Sequence, residues 1–423
     1  MGIRKRWQQF NAHLLQRRWP HGLVRWCYLL PIVSSQTRQH RALWWLSGNG
    51  WPRSVWLAVE LIIWVRWLLW YGWVSTRYVV QLHGQRYADL YQLPRHLQYW
   101  RTLRLALGWC IHPRDVYRFD LILNPQRALE YVYDQETGAF HRFCNPEPNK
   151  TPISYACLQD KIALAERLKV LGIPVVATSR VISKASGTTL QAAMQTFESQ
   201  QLFFKTRSGN QGLGAFALWP TPQGLRGETF EGTPLTTPQE ISVAWQALLK
   251  RDDVLIQPLL LNHPDLAPMS FFGEAITVRF ISQIDSKQKI HCLCATLEVP
   301  AGKSPQQKTT YSIFPIDCDT GVLKPFPAQA VFTKEVEDAS DRILALAPEN
   351  HCIPYWLSLV NASLQAHTAF LDVHAIAWDW VITPSGPILL EGNVGWGAAT
   401  PQMLLGGFMS STSPLSNTIK ACG

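Results

Sequence analysis

Hydrophobic positions change rhythm three times along this chain. Between Val55 and Val74 they run almost unbroken, VWLAVELIIWVRWLLWYGWV, which is long enough to cross a bilayer as a helix. From Lys161 they recur at helical spacing, and Ile162, Leu164, Leu168 and Leu171 form a stripe that Gly172 and Pro174 stop. From residue 201 they alternate. Gln201–Lys205, Ala215–Trp219 and Val254–Leu260 read as strands. EAITVRFISQI and KIHCLCATLEV read as an antiparallel pair, and FLDVHAIAWDWVITPSGPILLEGN as strand, TPSG turn and strand. TTPQEISVAWQALLKRDD predicts a helix with Thr237 as N-cap, Pro238 first and Glu240 third. Residues 118–150 hold three short runs, RFDLILN, ALEYVYD and AFHRFCN, with DQETG as a hairpin turn between the last two. They predict a small β-rich lead-in. The pattern as a whole predicts an α+β protein behind a mainly helical N-terminal region.

Composition sharpens that division. Residues 1–118 carry 17 Lys/Arg, of which only Lys5 is a lysine, against Glu60, Asp89 and Asp115. The remainder carries 22 basic and 27 acidic residues. Of 19 tryptophans, 13 precede residue 110. A basic, Trp-rich part therefore precedes a mildly acidic globular part. Glu60 and Arg66 fall near the middle of the apolar run, and five tryptophans are spread through it. Such charges oppose simple spanning, and Trp prefers the headgroup level. Three readings follow for this segment: a helix lying in a membrane interface, a buried helix of an all-α subdomain, or a true span. No RNA- or DNA-binding signature accompanies the basic charge, so a nucleic-acid partner is not expected. The nine cysteines form no C-x-x-C pair and read as free thiols in a reducing compartment. The N-terminus lacks the apolar core of a cleavable signal peptide.

Candidate chemistry lies after residue 158. Lys161 falls in the first turn of a helix, where exposed N–H groups favour anions. Lys205 ends a strand, and TRSGNQGLG follows, with Gly209, Gly212 and Gly214. A glycine loop between two strands can turn backbone N–H groups onto phosphates. It is neither a Walker loop nor a dinucleotide fingerprint. The run around Gln257–Leu259 offers backbone groups to an adenine edge, and Asp265 is a nearby acid for a ribose. Arg279 falls within a strand, where an inward arginine calls for an anion or acid. Asp379 and the pair Glu391 and Asn393 meet across the last hairpin. Two carboxylates and an amide oxygen suit Mg²⁺ holding nucleotide phosphates.

Taken in order, these features resemble the ATP-grasp superfamily, and most of all its sugar-transfer-associated family. The resemblance rests on DK opening a helix, the strand lysine, the glycine loop, VLIQPLLLNHPDL, AITVRF, IDCDTGVL and AWDWVITPSGPILLEGN, over roughly residues 150–412. It implies a two-lobed fold with ATP between the lobes. It also implies that Lys161 and Lys205 hold phosphates beneath Gly209, Gly212 and Gly214. Gln257 and Leu259 would then flank adenine, and Asp379, Glu391 and Asn393 would bind Mg²⁺. Arg279 would steady the transferred phosphate or an acceptor carboxylate. The implied activity is a ligase that activates a carboxylate as an acyl phosphate for an amine or hydroxyl, in polysaccharide or glycoconjugate synthesis. Two alternatives are a non-catalytic nucleotide-binding scaffold and a kinase acting on a sugar hydroxyl. The expected division is a helical region over 1–117, the β-rich lead-in over 118–155, a small lobe over 156–260, a large lobe with the metal site over 261–415, and a tail over 416–423. The expected location is cytoplasmic, peripheral on the inner face of the plasma membrane.

Overall fold

The computed structural model describes residues 16–23, 34–48, 50–147, 151–194, 200–209, 214–304, 307–327, 329–347 and 351–410. Gly212 and the tail at 416–423 lie outside them. Two antiparallel sheets organise the chain after residue 150. The first has six strands: β1 (Arg180–Ile182), β2 (Leu202–Thr206), β3 (Phe216–Thr221), β4 (Gly224–Thr229), β5 (Pro234–Leu235) and β6 (Val254–Pro258), in the order β1-β6-β2-β3-β4-β5. The second has five: β7 (Thr277–Ile284), β8 (Ile290–Ser304), β9 (Gln307–Ile316), β10 (Ala375–Thr383) and β11 (Gly386–Asn393), in the order β11-β10-β7-β8-β9.

Helix Pro238–Arg251 covers the six-stranded sheet. It starts at a full capping box: the Thr237 hydroxyl accepts the Glu240 N–H and the Glu240 carboxylate accepts the Thr237 N–H. Its Ile241, Trp245 and Leu248 meet Phe204, Phe216 and Ile256. Apolar residues every three or four positions meet apolar residues every two, so one face of each element is buried.

The five-stranded sheet is buried on both faces, as the wholly apolar flanks of Asp379 in β10 require. One face packs against helices Lys334–Leu346, Trp356–His367 and Lys161–Lys169. The last of these, expected in the small lobe, belongs to the five-stranded sheet, the large sheet by the length of its strands: Leu164 and Leu168 join its core, and Val175 bridges to Leu389. The other face, through Ile281, Ala375 and Ala377, packs against Leu43 and Phe140.

The β-rich lead-in expected over 118–155 is corrected. Helix Pro113–Arg118 leads into turns, a 3₁₀ segment spans Pro125–Leu129, and helix Thr137–Cys144 takes up AFHRFC. DQETG is the entry to that helix and not a hairpin. A short apolar run fits either period, and here Ala139, Phe140 and Phe143, at i, i+1 and i+4 on one helix face, dock on the large sheet.

The N-terminal part is helical, as expected: Ser35–Ser47, a continuous helix Arg53–Tyr91 with a π turn at Trp67–Tyr71, and Arg95–Trp109. Helix Arg53–Tyr91 is long and apolar enough to cross a membrane. Its inner face nevertheless carries Glu60, which accepts hydrogen bonds from His21 Nδ1 at 2.5 Å and Trp44 Nε1 at 2.7 Å. All seven cysteines among the described residues are free thiols.

Candidate active site

Strand register builds one wall of the site. Glu391 faces Asp379 across β11–β10, Asp379 faces Arg279 across β10–β7, and Arg279 faces Thr296 across β7–β8. Thr277, two residues from Arg279 and so on the same face, faces Glu298. A β-bulge sharpens the arrangement. Asp379 opposes Glu391, but Trp380 opposes Leu389, so Leu390 is an extra residue on β11. Leu390 and Glu391 consequently both open on the cleft. Between Glu391 and Asn393 only glycine fits: a Cβ on Gly392 would lie 2.6 Å from the Trp378 ring.

Arg279 lies within a cage of acids. Its Nε and Nη2 donate to both Asp379 oxygens, at 2.8 and 3.0 Å, and its Nη1 meets Glu298 at 3.0 Å. Burial would lower the arginine pKa, but the two carboxylates outweigh it and raise it. Burial raises Asp379 against the pull of Arg279. Burial also pushes Glu298 up, to about 7, with Arg279 opposing. The Asn393 amide donates to Asp379 at 2.8 Å and to Glu391 at 3.2 Å. Turning that amide over would present its oxygen beside the same two carboxylates. With the amide turned, the three would offer a hard oxygen set of the kind that suits Mg²⁺. Among the described residues no cluster of three His, Cys, Asp or Glu offers another metal site.

The opposite wall comes from the six-stranded sheet. Phe203 and Lys205, on one face of β2, line the cleft, and Gly209 follows them. Gly209 has φ +132°, a region that strongly favours glycine. Its carbonyl accepts a hydrogen bond from Lys161 Nζ at 2.8 Å. Lys161 also stands 3.9 Å from Glu391. The turn is latched to the helix start: Arg207 donates bidentately to Asp160, at 3.0 and 2.7 Å, while Asp160 caps the helix through the Ile162 and Ala163 N–H groups. Burial lowers the Lys205 pKa from 10.5 to about 8; the Lys161 charge adds to this and Glu391 opposes it. Burial lowers Lys161 too, with Glu391 opposing.

Lys161, Lys205, Gly209, Arg279, Asp379 and Glu391 thus line one cleft of 420 Å³, and Asn393 lines the recess next to it. That volume suits a nucleotide-sized ligand. Gly214, at φ +77°, closes the other end of the loop, where its N–H reaches Glu231 at 3.4 Å. Gly214 does not line the cleft, and neither do three other expected nucleotide residues. The Gln257 side chain is buried and donates to Thr178 at 3.0 Å. The Leu259 N–H is spent on the Gln201 carbonyl at 2.9 Å. Asp265 sits on an outer turn and pairs with His263 at 3.6 Å. The acid that does line the cleft near β7 is Glu274, which sequence reasoning missed, together with Glu298, Tyr311 and Arg251. Glu298 had a signal: it is the single charge in the apolar alternation CATLEV.

Comparisons with known proteins bear on this geometry. No curated protein matches the chain. Among solved structures it is similar to the D-alanine–D-alanine ligase of Coxiella burnetii, at 13% identity over 63% of this chain and 58% of that one, with a TM-score of 0.33. It is similar to the VanG D-Ala:D-Ser ligase of Enterococcus faecalis, at 13% identity over 64% and 63%, with a TM-score of 0.37. It is also similar to the D-alanine–D-alanine ligase of Bacillus anthracis solved with ATP, at 13% identity over 64% and 62%, with a TM-score of 0.32. The chain covers less than two thirds of each of these three. The family comparison reaches further and matches residues 141–413 to the sugar-transfer associated ATP-grasp family. With that match across the two sheets and the cleft between them, the chain belongs to the sugar-transfer associated ATP-grasp family.

Proposed function

We propose that this protein is an ATP- and Mg²⁺-dependent ligase. It activates a carboxylate as an acyl phosphate and passes the acyl group to an amine or hydroxyl, in polysaccharide or glycoconjugate assembly. The observation that carries this reading is the meeting of Lys161, Lys205 and Gly209 with Asp379, Glu391 and Asn393 across one cleft. Lysines and a glycine turn suit phosphates, and the oxygen set suits the cation that accompanies them.

In this reading Asp379, Glu391 and Asn393 would hold Mg²⁺, which would neutralise charge on the nucleotide phosphates. Lys161 and Lys205 bind phosphate oxygens from the facing wall. Phe203 and Leu390 provide apolar surface for the purine. Glu274 takes the ribose role expected of Asp265. A substrate carboxylate oxygen bonds to the γ-phosphorus as the bond to the β-phosphate oxygen breaks, and ADP leaves. The amine or hydroxyl then attacks the acyl carbon, phosphate leaves, and the nucleophile gives up a proton. Arg279 favours the ionised form of Asp379 and aims it, and its charge faces the phosphoryl group in flight. Positioning and charge supply most of the acceleration in such transfers.

The test is a hydroxylamine trap with Mg-ATP and a panel of sugar acids and amino acids. A ligase yields ADP together with a hydroxamate. ADP with a phosphorylated sugar would establish the kinase alternative. Bound ATP without ADP under every substrate would establish the scaffold alternative.

A further inference from the structure

Helix Arg53–Tyr91 has an outer face that stands exposed among the described residues. Leu57, Leu61 and Val65 recur every four residues, and so do Trp70, Val74, Tyr78 and Leu82. The one five-residue step, from Val65 to Trp70, falls at the π turn Trp67–Tyr71. A π turn takes one extra residue, so the four-residue ridge continues without a break across that step. All seven residues are exposed, Trp70 at 65% and Tyr78 at 62%. The row runs for roughly 35–40 Å at 1.5 Å per residue. A soluble monomer rarely leaves so long a contiguous apolar row in water.

The charge around the row is one-sided. Arg53 stands one turn before Leu57, and Arg77 lies between Val74 and Tyr78, both exposed. The neighbouring helix Arg95–Trp109 adds exposed Arg95, Arg101, Arg104 and Trp100. From residue 53 to 109 the only acids are Glu60, which is buried, and Asp89. Apolar, aromatic and arginine side chains exposed together on these two neighbouring helices match the boundary between acyl chains and anionic headgroups.

The inner face fixes how the helix would meet that boundary. Glu60 holds His21 and Trp44, and Trp67 Nε1 donates to the Ala106 carbonyl at 2.7 Å. Near its end, Arg86 donates to the Gln329 carbonyl at 3.0 Å and pairs with Glu337, next to the large sheet. A spanning helix would have to abandon these partners or carry them into hydrocarbon. Two copies meeting face to face would instead bring their arginines together, which disfavours self-association through this face.

We propose that the row from Leu57 to Leu82 is a membrane-docking face, which lays the helix in the plane of an anionic lipid surface without crossing it. This inference is independent of the ligase reading. The test is flotation of the purified full chain with vesicles of phosphatidylcholine, alone or with 30% phosphatidylglycerol. Anionic vesicles should capture at least about tenfold more protein than neutral ones, and part of the binding should survive 0.5 M NaCl. V65D/W70D should weaken capture at least about tenfold without shifting the thermal melt, since both side chains are exposed. Arg53→Gln and Arg77→Gln should each weaken anionic capture about fivefold and leave neutral vesicles unaffected. Wild-type protein that ignores anionic vesicles would overturn the proposal, as would V65D/W70D binding like wild type. A concentration-dependent dimer that V65D/W70D abolishes, with lipid binding intact, would assign the face to a second copy. Retention in cell membranes through alkaline carbonate, with release only by detergent, would assign it to a span.

Discussion

Lys205→Met tests the phosphate wall through two opposite effects. Burial beside Lys161 holds the Lys205 pKa at about 8, where an exposed lysine has 10.5. That difference corresponds to ~3 kcal/mol, an upper bound on what the charged amine costs the free fold. The sign follows from proton counts. The unfolded amine binds its proton more tightly, so the cost is complete below pH 8 and disappears as pH rises from 8 to 10.5. Methionine keeps the length and loses the charge, so the variant should resist urea better than wild type at pH 7, by up to ~3 kcal/mol.

Nucleotide reverses the balance. Phosphate oxygens favour the ammonium form, so ATP binding above pH 8 draws a proton onto Lys205. Wild-type ATP affinity should therefore be flat from pH 6.5 to 7.5 and about tenfold weaker at pH 9 than at pH 7. Calorimetry in two buffers of different ionisation enthalpy should show net proton uptake at pH 9. Lys205→Arg stays charged throughout this range, so its affinity should lose most of the pH dependence. Lys205→Met should bind ATP poorly at pH 7 and also lose most of the dependence. The reasoning fails if wild-type affinity is constant to pH 9, or if the methionine variant is less stable without nucleotide and keeps the full tenfold change.

Three further outcomes follow. Glu391→Gln should fold normally and lose at least about 10²-fold in Mg²⁺-dependent ATP turnover, so a rate within threefold of wild type rules out its metal role. Asp379→Ala strands Arg279 with Glu298 alone and should cost about 3–5 kcal/mol in urea unfolding, whereas an unchanged midpoint would mean the pair is not buried as described. Acid should weaken the large sheet through its buried histidines: His374 and His141 meet at 3.1 Å, and burial lowers His141 and His367 to about 4. The unfolded rings take protons first as pH falls below 6.5, so stability should drop by ~2 kcal/mol per ring at pH 5, and equal stability at pH 5 and 7 would refute this.

Much of the catalytic half was legible because its strands alternate and its helices are capped. The Thr237–Glu240 box and the pairing of Asp379 with Glu391 follow from spacing alone. Features that depend on the exact register between paired strands were not legible. Glu298 becomes a partner of Arg279 only because β7 and β8 pair Thr277 with Glu298. Asp265 lies on a local turn that points away from the cleft, while Glu274, nearer to β7, reaches it. Residues 118–150 misled because four-residue apolar runs carry no period, and the large sheet needed a helix on its second face. Glu60 argued against a simple span from sequence, but its partners His21 and Trp44 emerge only from packing.

The charges of the cleft explain why nucleotide and metal should bind together. In the free protein Arg279 is held by Asp379 and Glu298, Lys161 leans on Glu391 and the Gly209 carbonyl, and the Asn393 amide donates to both Asp379 and Glu391. Apart from Lys205, each of these groups expected to meet Mg-ATP already has an internal partner. A cation alone would meet Asn393 with its donor side forward and two carboxylates already shared with Lys161 and Arg279. A triphosphate alone would bring its charge against Glu391 and Asp379. Arriving together, phosphate would release Lys161 from Glu391, the freed carboxylate could turn to the cation, and Asn393 would turn over to present its oxygen. Each exchange replaces one buried pair with another, so no buried charge is left unpaired. The two affinities should therefore be coupled, each ligand tightening the other by the same factor. Tenfold or more is expected. ATP titrations with and without Mg²⁺, paired with Mg²⁺ titrations with and without ATP, measure both sides of that cycle. Independent binding would show that the internal pairs do not gate the cleft.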